Sequence, residues 1–170
     1  MEHYFEEIEP NLIINLSNPE GNILKGVKVD YSNFPDCNEY KKIIITGDNV
    51  VLQDFSVINL FFLQEIEITG EIVKLGNFFI DDCPNLTKLS VSGLKTLVDG
   101  FRYRQCPNID KIIISSAEEE TVKLNCHFGR PYNGCPDVII DGKKIVIENA
   151  PQKRLGYYSI NNRRYSVVEQ

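Results

Sequence analysis

Apolar residues recur along this chain at an interval of 23. Stepping by that interval from Cys37 gives Leu60, Cys83 and Cys106. Three residues after each stand Tyr40, Leu63, Leu86 and Ile109. Three further stand Ile43, Ile66, Leu89 and Ile112, and two beyond those Ile45, Ile68, Val91 and Ile114. Every position of this grid is apolar or Cys. The same interval aligns Phe55, Phe78 and Phe101, and Val57, Ile80 and Tyr103. It also places Leu52, Leu75 and Leu97 before them, with a slip of one residue around Val98.

Each unit contains one stretch of strict alternation: Ile43-Ile45, Ile66-Ile68, Leu89-Val91 and Ile112-Ile114. Alternation over a few branched residues predicts a strand with one buried face. The pairs that follow, Thr46-Gly47, Thr69-Gly70, Ser92-Gly93 and Ser115-Ser116, read as turns. A unit this small cannot bury its apolar face alone. Stacked neighbours bury it jointly, so the expected architecture is a repeat solenoid with a short parallel sheet along one side. The column cysteines fit that packing as small buried hydrophobes.

The segment LGNFFIDDCPNLTKLSVSGLKTLVDGFRYRQCPNIDKIII (75–114) carries a resemblance. Its aromatic residue five before the Cys, followed by Cys-x-x-Leu-x-x-Leu-x-Val, resembles the BspA-type leucine-rich repeat family. The match covers about residues 37–116 well. It departs where Leu60 replaces the Cys and where Thr-Gly or Ser-Gly replaces the Ile-Pro that often ends the strand. The resemblance implies a curved, right-handed leucine-rich-repeat-like coil used for protein recognition, often in adhesins and surface antigens.

Repeat stacks need atypical ends. Residues 1–36 are expected to hold an N-terminal cap and a degenerate first turn, with NLIINL (11–16) as a strand and Val27, Val29 and Phe34 matching the repeat in part. Residues 117–170 are expected to form a C-terminal cap in one single-domain chain. In it, HFGRPYNG (127–134) reads as a loop. VIIDGKKIVI (138–147) and YYSINNRRYSVV (157–168) read as hairpins around Asp141-Gly142 and Asn161-Asn162.

The net charge of −6 argues against nucleic acid or an anionic membrane surface as partner. The last 30 residues run against that sign, with six basic side chains and three acidic ones, which leaves about −9 on the rest. A short basic stretch of this kind reads as a solvated face. The N-terminus has no signal-peptide pattern, and five cysteines, an odd number, fit reduced thiols in a cytoplasmic protein.

No phosphate loop, nucleophile elbow or metalloprotease motif occurs, so no enzymatic activity, cofactor or metal is expected. Cys126, His127 and Cys135 lack a fourth zinc ligand. Asp81-Asp82 and Glu118-Glu119-Glu120 read as solvated turns. Binding surfaces are more informative. Residues between the buried ones of stacked strands point outward in columns. One column is Lys42, Glu65, Lys88 and Lys111; the next is Ile44, Glu67, Ser90 and Ile113; the third is Thr46, Thr69, Ser92 and Ser115. Ile44 and Ile113 stand out as β-branched apolar residues on a wet face. Phe128, Arg130 and Tyr132 in the 127–134 loop are residue types enriched at interface hot spots. The reading is a protein-binding module acting through the strand face or that loop. The alternative is a structural or surface-antigen component of a larger assembly.

Overall fold

The computed structural model describes residues 5–8, 10–17, 23–117, 121–128, 137–141, 144–147, 157–160 and 163–166. In chain order the strands are β1 (Phe5–Ile8), β2 (Asn11–Asn15), β3 (Ile23–Lys25), β4 (Lys28–Val29), β5 (Lys42–Gln53), β6 (Ser56–Ile58) and β7 (Glu65–Asp81). They continue with β8 (Lys88–Arg104), β9 (Lys111–Ser116), β10 (Thr121–Phe128), β11 (Asp137–Asp141), β12 (Lys144–Ile147), β13 (Tyr157–Ile160) and β14 (Arg163–Ser166). A single 3-10 turn at Pro35–Glu39 is the only helical piece among the described residues. The chain is a β-solenoid. β5, β7, β8 and β9 pair in parallel, and from Lys42 opposite Glu65 to Ser92 opposite Ser115 each residue faces the one 23 positions on.

The expected buried columns are the core. Ile43, Ile45, Ile66, Ile68, Leu89, Val91, Ile112 and Ile114 are all buried, as are Cys37, Leu60, Cys83 and Cys106. Phe55, Phe78 and Phe101 stack face to face down the axis with centroids 5.7 and 5.8 Å apart. The Cys83 thiol donates to the Asp81 carbonyl at 3.4 Å and the Cys106 thiol to that of Arg104 at 3.2 Å. A hydrogen bond shared with Cys106, reinforced by burial, pushes the Cys83 thiol far above its ordinary pKa. These cysteines are packing residues.

The strands are longer than alternation alone predicts. β7 and β8 run on through the Thr-Gly and Ser-Gly pairs, so the segment returning from each sheet strand is itself a strand with its own parallel ladder. Gly47, Gly70 and Gly93 mark a corner inside a continuous strand, and crowding explains them. A Cβ on Gly70 would lie 2.7 Å from the Gly47 carbonyl oxygen and 3.1 Å from Val50 Cγ2; one on Gly93 would lie 2.9 Å from the Gly70 oxygen. A side chain returns where Ser116 faces Gly93. Its hydroxyl donates to Leu94 O at 3.0 Å and accepts the Thr96 N–H at 3.3 Å. Gly70→Ala is therefore expected to destabilise the fold by about 1–3 kcal/mol by overpacking against backbone. Thermal denaturation beside wild type checks this, and an unchanged midpoint would contradict the crowding.

Two further corners per coil use left-handed backbone. Asp54 and Asn77 have φ of 53°, and Gly26, at φ 68°, precedes β4 as Asp54 precedes β6. Asn59, Asp82 and Gln105, at φ 60°, 50° and 53°, stand immediately before Leu60, Cys83 and Cys106. Asn and Asp tolerate this region better than other side chains. Asn77 Nδ2 also donates to Asp54 Oδ1 at 2.9 Å, which ties neighbouring corners together. After each second corner the chain closes a tight turn. Leu86 N donates to Cys83 O at 3.1 Å and Ile109 N to Cys106 O at 3.3 Å, which is the structural meaning of the repeated Cys-x-x-Leu/Ile.

Three sequence expectations change. Leu75 faces Val98, which is buried, so the 23-residue interval holds and Val98, not Leu97, continues the Leu52-Leu75 column. Residues 138–147 are not a hairpin: β11 pairs in parallel with β9 and β13, and β12 pairs in parallel with β10. Asp141 faces Ser115 in the column of Thr46, Thr69 and Ser92, so β11 continues the parallel stack. The Thr-Gly and Ser-Gly pairs, read as turns that end each strand, are corners within strands. The second hairpin is present as the antiparallel pair β13–β14.

At the N-terminal end, β2 faces β5 at an interval of 31 and β3 at 28. The first coil is thus a longer version of the repeat. Leu12, Ile14, Leu24 and Val29 occupy its core columns, and the extra length includes the 3-10 turn. β1 pairs antiparallel with β2 outside the parallel stack.

Candidate binding surface

The outward face of the sheet is formed by the first halves of β5, β7 and β8 together with β2 and β9. The parallel ladders hold its columns in register: Lys42 faces Glu65, Glu65 faces Lys88, and Lys88 faces Lys111. Beside them Ile44 faces Glu67, Glu67 faces Ser90, and Ser90 faces Ile113. Of these eight, only Lys111 is exposed; the other seven are half-buried.

Charge on the face is organised around one ammonium. Lys42 Nζ lies 2.5 Å from Glu67 Oε2 and 3.7 Å from Glu65 Oε2. The hydrogen bond it donates to Glu67, then the charges of both carboxylates, hold the Lys42 ammonium above its usual pKa. The diagonal neighbour Glu67 is thus the closer partner, and the directly opposite Glu65 the more distant one. Such half-exposed pairs contribute at most about 1 kcal/mol. Their effect is to fix side-chain positions on the face.

The apolar part is larger than the sequence reading allowed. Ile13 of β2 faces Ile44. Ile13 is half-buried like Ile44, so two isoleucines stand together at one end of the column. The signal was present in NLIINL, but it becomes readable only once the interval of 31 is known. The third column is linked by Thr69 Oγ1 donating to Thr46 Oγ1 at 3.3 Å.

The predicted loop is placed differently. Phe128 ends β10 with its backbone opposite Tyr103, and a bulge between Asn125 and Cys126 precedes it. Cys126, also of β10, lies opposite Phe101 of β8 in the ladder. Arg130, Tyr132 and Cys135 lie outside the described residues, as does Glu118-Glu119-Glu120. Asp81 is not a solvated turn residue: it is buried, and it accepts from Arg104 Nε at 2.9 Å and from Nη2 of the same guanidinium. This ion pair sits in a ladder position, because Asp81 faces Arg104 across β7 and β8.

Sequence reasoning missed one feature outright. Phe61 and Phe62, between the buried Leu60 and Leu63, are 56% and 57% exposed. Among the described residues no His, Cys, Asp and Glu cluster could hold a metal ion, and no helix is long and apolar enough to cross a membrane. Comparison with family models, curated proteins and solved structures gives no match.

Proposed function

We propose that this protein is a recognition module that binds a protein partner through the outward face of its parallel sheet. The observation that supports this most directly is the ordered face itself. Half-buried Ile13 and Ile44 lie beside a fixed Lys42–Glu67 pair, with Ile113 on the far side. Apolar anchors ringed by positioned charges are what protein interfaces present. Both neighbours of each central strand hold it by backbone ladders, so little ordering entropy is lost on binding. The resemblance to BspA-type repeats, which implies protein recognition, supports the same reading.

Affinity capture from the native source tests it, with wild type beside the double variant Ile44→Asp, Ile113→Asp at equal melting temperature. One protein should be retained by wild type, and its affinity for the variant should fall about tenfold or more, the scale of losing interface anchors. Equal retention by both forms would make the face scaffold and overturn the reading.

A further inference from the structure

We propose that the corner bearing Phe61 and Phe62 is a second docking point, and that it takes a cationic peptide segment of a protein partner carrying apolar anchor residues. This goes beyond the sheet-face reading and does not depend on it. The two residues after the column position are Asn38-Glu39, Phe61-Phe62, Pro84-Asn85 and Pro107-Asn108 in successive coils. In the later coils the Asn side chain ties one corner to the next. Asn85 Nδ2 donates to Phe61 O at 2.6 Å, and Asn108 Nδ2 donates to Pro84 O at 2.7 Å. Phe62 stands at the Asn position and has no side-chain donor to make that bond. Neither ring serves the core, since both are more than half exposed while Leu60 and Leu63 on either side are fully buried. The repeat's pattern is broken here in favour of two exposed aromatic rings.

The corner presents them rigidly. Leu63 N donates to Leu60 O at 3.4 Å, Gln64 N donates to Lys41 O at 2.8 Å, and the Asn85 amide holds the Phe61 carbonyl. Aromatic anchors on a fixed backbone lose little entropy on binding.

Charge selects the occupant. The four stacked corner segments, 36–41, 59–64, 82–87 and 105–110, carry the carboxylates Asp36, Glu39, Asp82 and Asp110 against the single ammonium of Lys41, a balance of −3. The aromatic segment itself is uncharged. Ring faces attract cations, and the surrounding carboxylates attract them further. An anionic membrane surface would be repelled, and so would a second copy of a chain with net charge −6. A peptide that combines Lys or Arg with aliphatic or aromatic residues is complementary to both features.

The test pans a phage-displayed random-peptide library against the full chain. Enriched sequences are synthesised, and their affinities are measured by fluorescence anisotropy for three proteins. These are wild type, Phe61→Pro with Phe62→Asn (the pair found at 84–85 and 107–108), and Ile44→Asp with Ile113→Asp. Phe61→Ser with Phe62→Asn replaces the first variant should the proline lower the melting temperature. The expected peptides are rich in Lys or Arg with apolar anchors. They should bind the corner variant about tenfold or more weakly, weaken as salt is raised, and bind the sheet-face variant as they bind wild type. The proposal is overturned by a library with no enrichment, by acidic or uncharged sequences, or by peptides that bind the corner variant within about twofold of wild type. Peptides lost only from the sheet-face variant overturn it as well, while supporting the other surface.

Discussion

Phe78→Ala is expected to destabilise the protein by about 3–5 kcal/mol, the upper range for truncating a buried aromatic residue. Phe78 is fully buried and is the middle ring of three, stacked at 5.7 Å on Phe55 and at 5.8 Å on Phe101. Its removal takes contacts from the coil above and the coil below together, and in a solenoid those nearest-neighbour interfaces supply much of the stability. Collapse of the surroundings would relieve part of the cost in many cores. Here the ladders on both sides fix the separation of the coils at about 4.8 Å, so the neighbouring rings cannot close the gap without breaking backbone hydrogen bonds. Urea denaturation should show a lowered midpoint, and Phe78→Leu, which keeps most of the volume, should cost less than about 1.5 kcal/mol. A loss under about 1 kcal/mol for the alanine variant would mean that the ring column is not the spine of the core.

Most of the fold could be read from the sequence because the repeat is a stacking rule. A residue that fits one coil fits the next 23 positions on, so the columns through Cys83, Leu86, Leu89 and Val91 locate the core before any strand boundary is known. The return strands were harder to read. Alternation is interrupted at Gly70 and Gly93, and the corner needs those glycines for inter-coil crowding, which a single coil's sequence does not reveal. The Asp141-Gly142 pair misled for a related reason. Asp-Gly suits a hairpin turn, and only the parallel pairing of β11 with β9 and of β12 with β10 shows that the two strands do not pair with each other. The outward columns followed from the period, whereas Ile13 did not, because the first coil runs at 31 residues to the next. Phe61 and Phe62 were concealed by their composition. Within NLFFL, two exposed rings between two buried leucines look like continuous core, and their exposure comes from the turn that reverses the chain there.

The register of the binding face rests on one pair of adjacent residues in β8. Leu89 is 1% exposed and packs inward, with Ile66 and Ile112 opposite it on the neighbouring strands. Ser90 is half-buried and faces outward between Glu67 and Ile113. Leu89→Ala is expected to cost about 2–5 kcal/mol, the transfer term plus a cavity that the ladders hold open. Ser90→Ala should stay within about 0.5 kcal/mol, since it removes a hydroxyl from a wet face. A shift of one residue in a strand exchanges its two faces entirely, so the pair of measurements discriminates sharply. Denaturant midpoints at both positions decide the matter. A large cost at Ser90 with a small one at Leu89 would turn Lys42, Ile44, Glu65 and Glu67 inward, and the proposed recognition face would disappear with them. The expected asymmetry leaves those side chains facing outward from strands that pair on both edges, which is the condition the sheet-face reading requires.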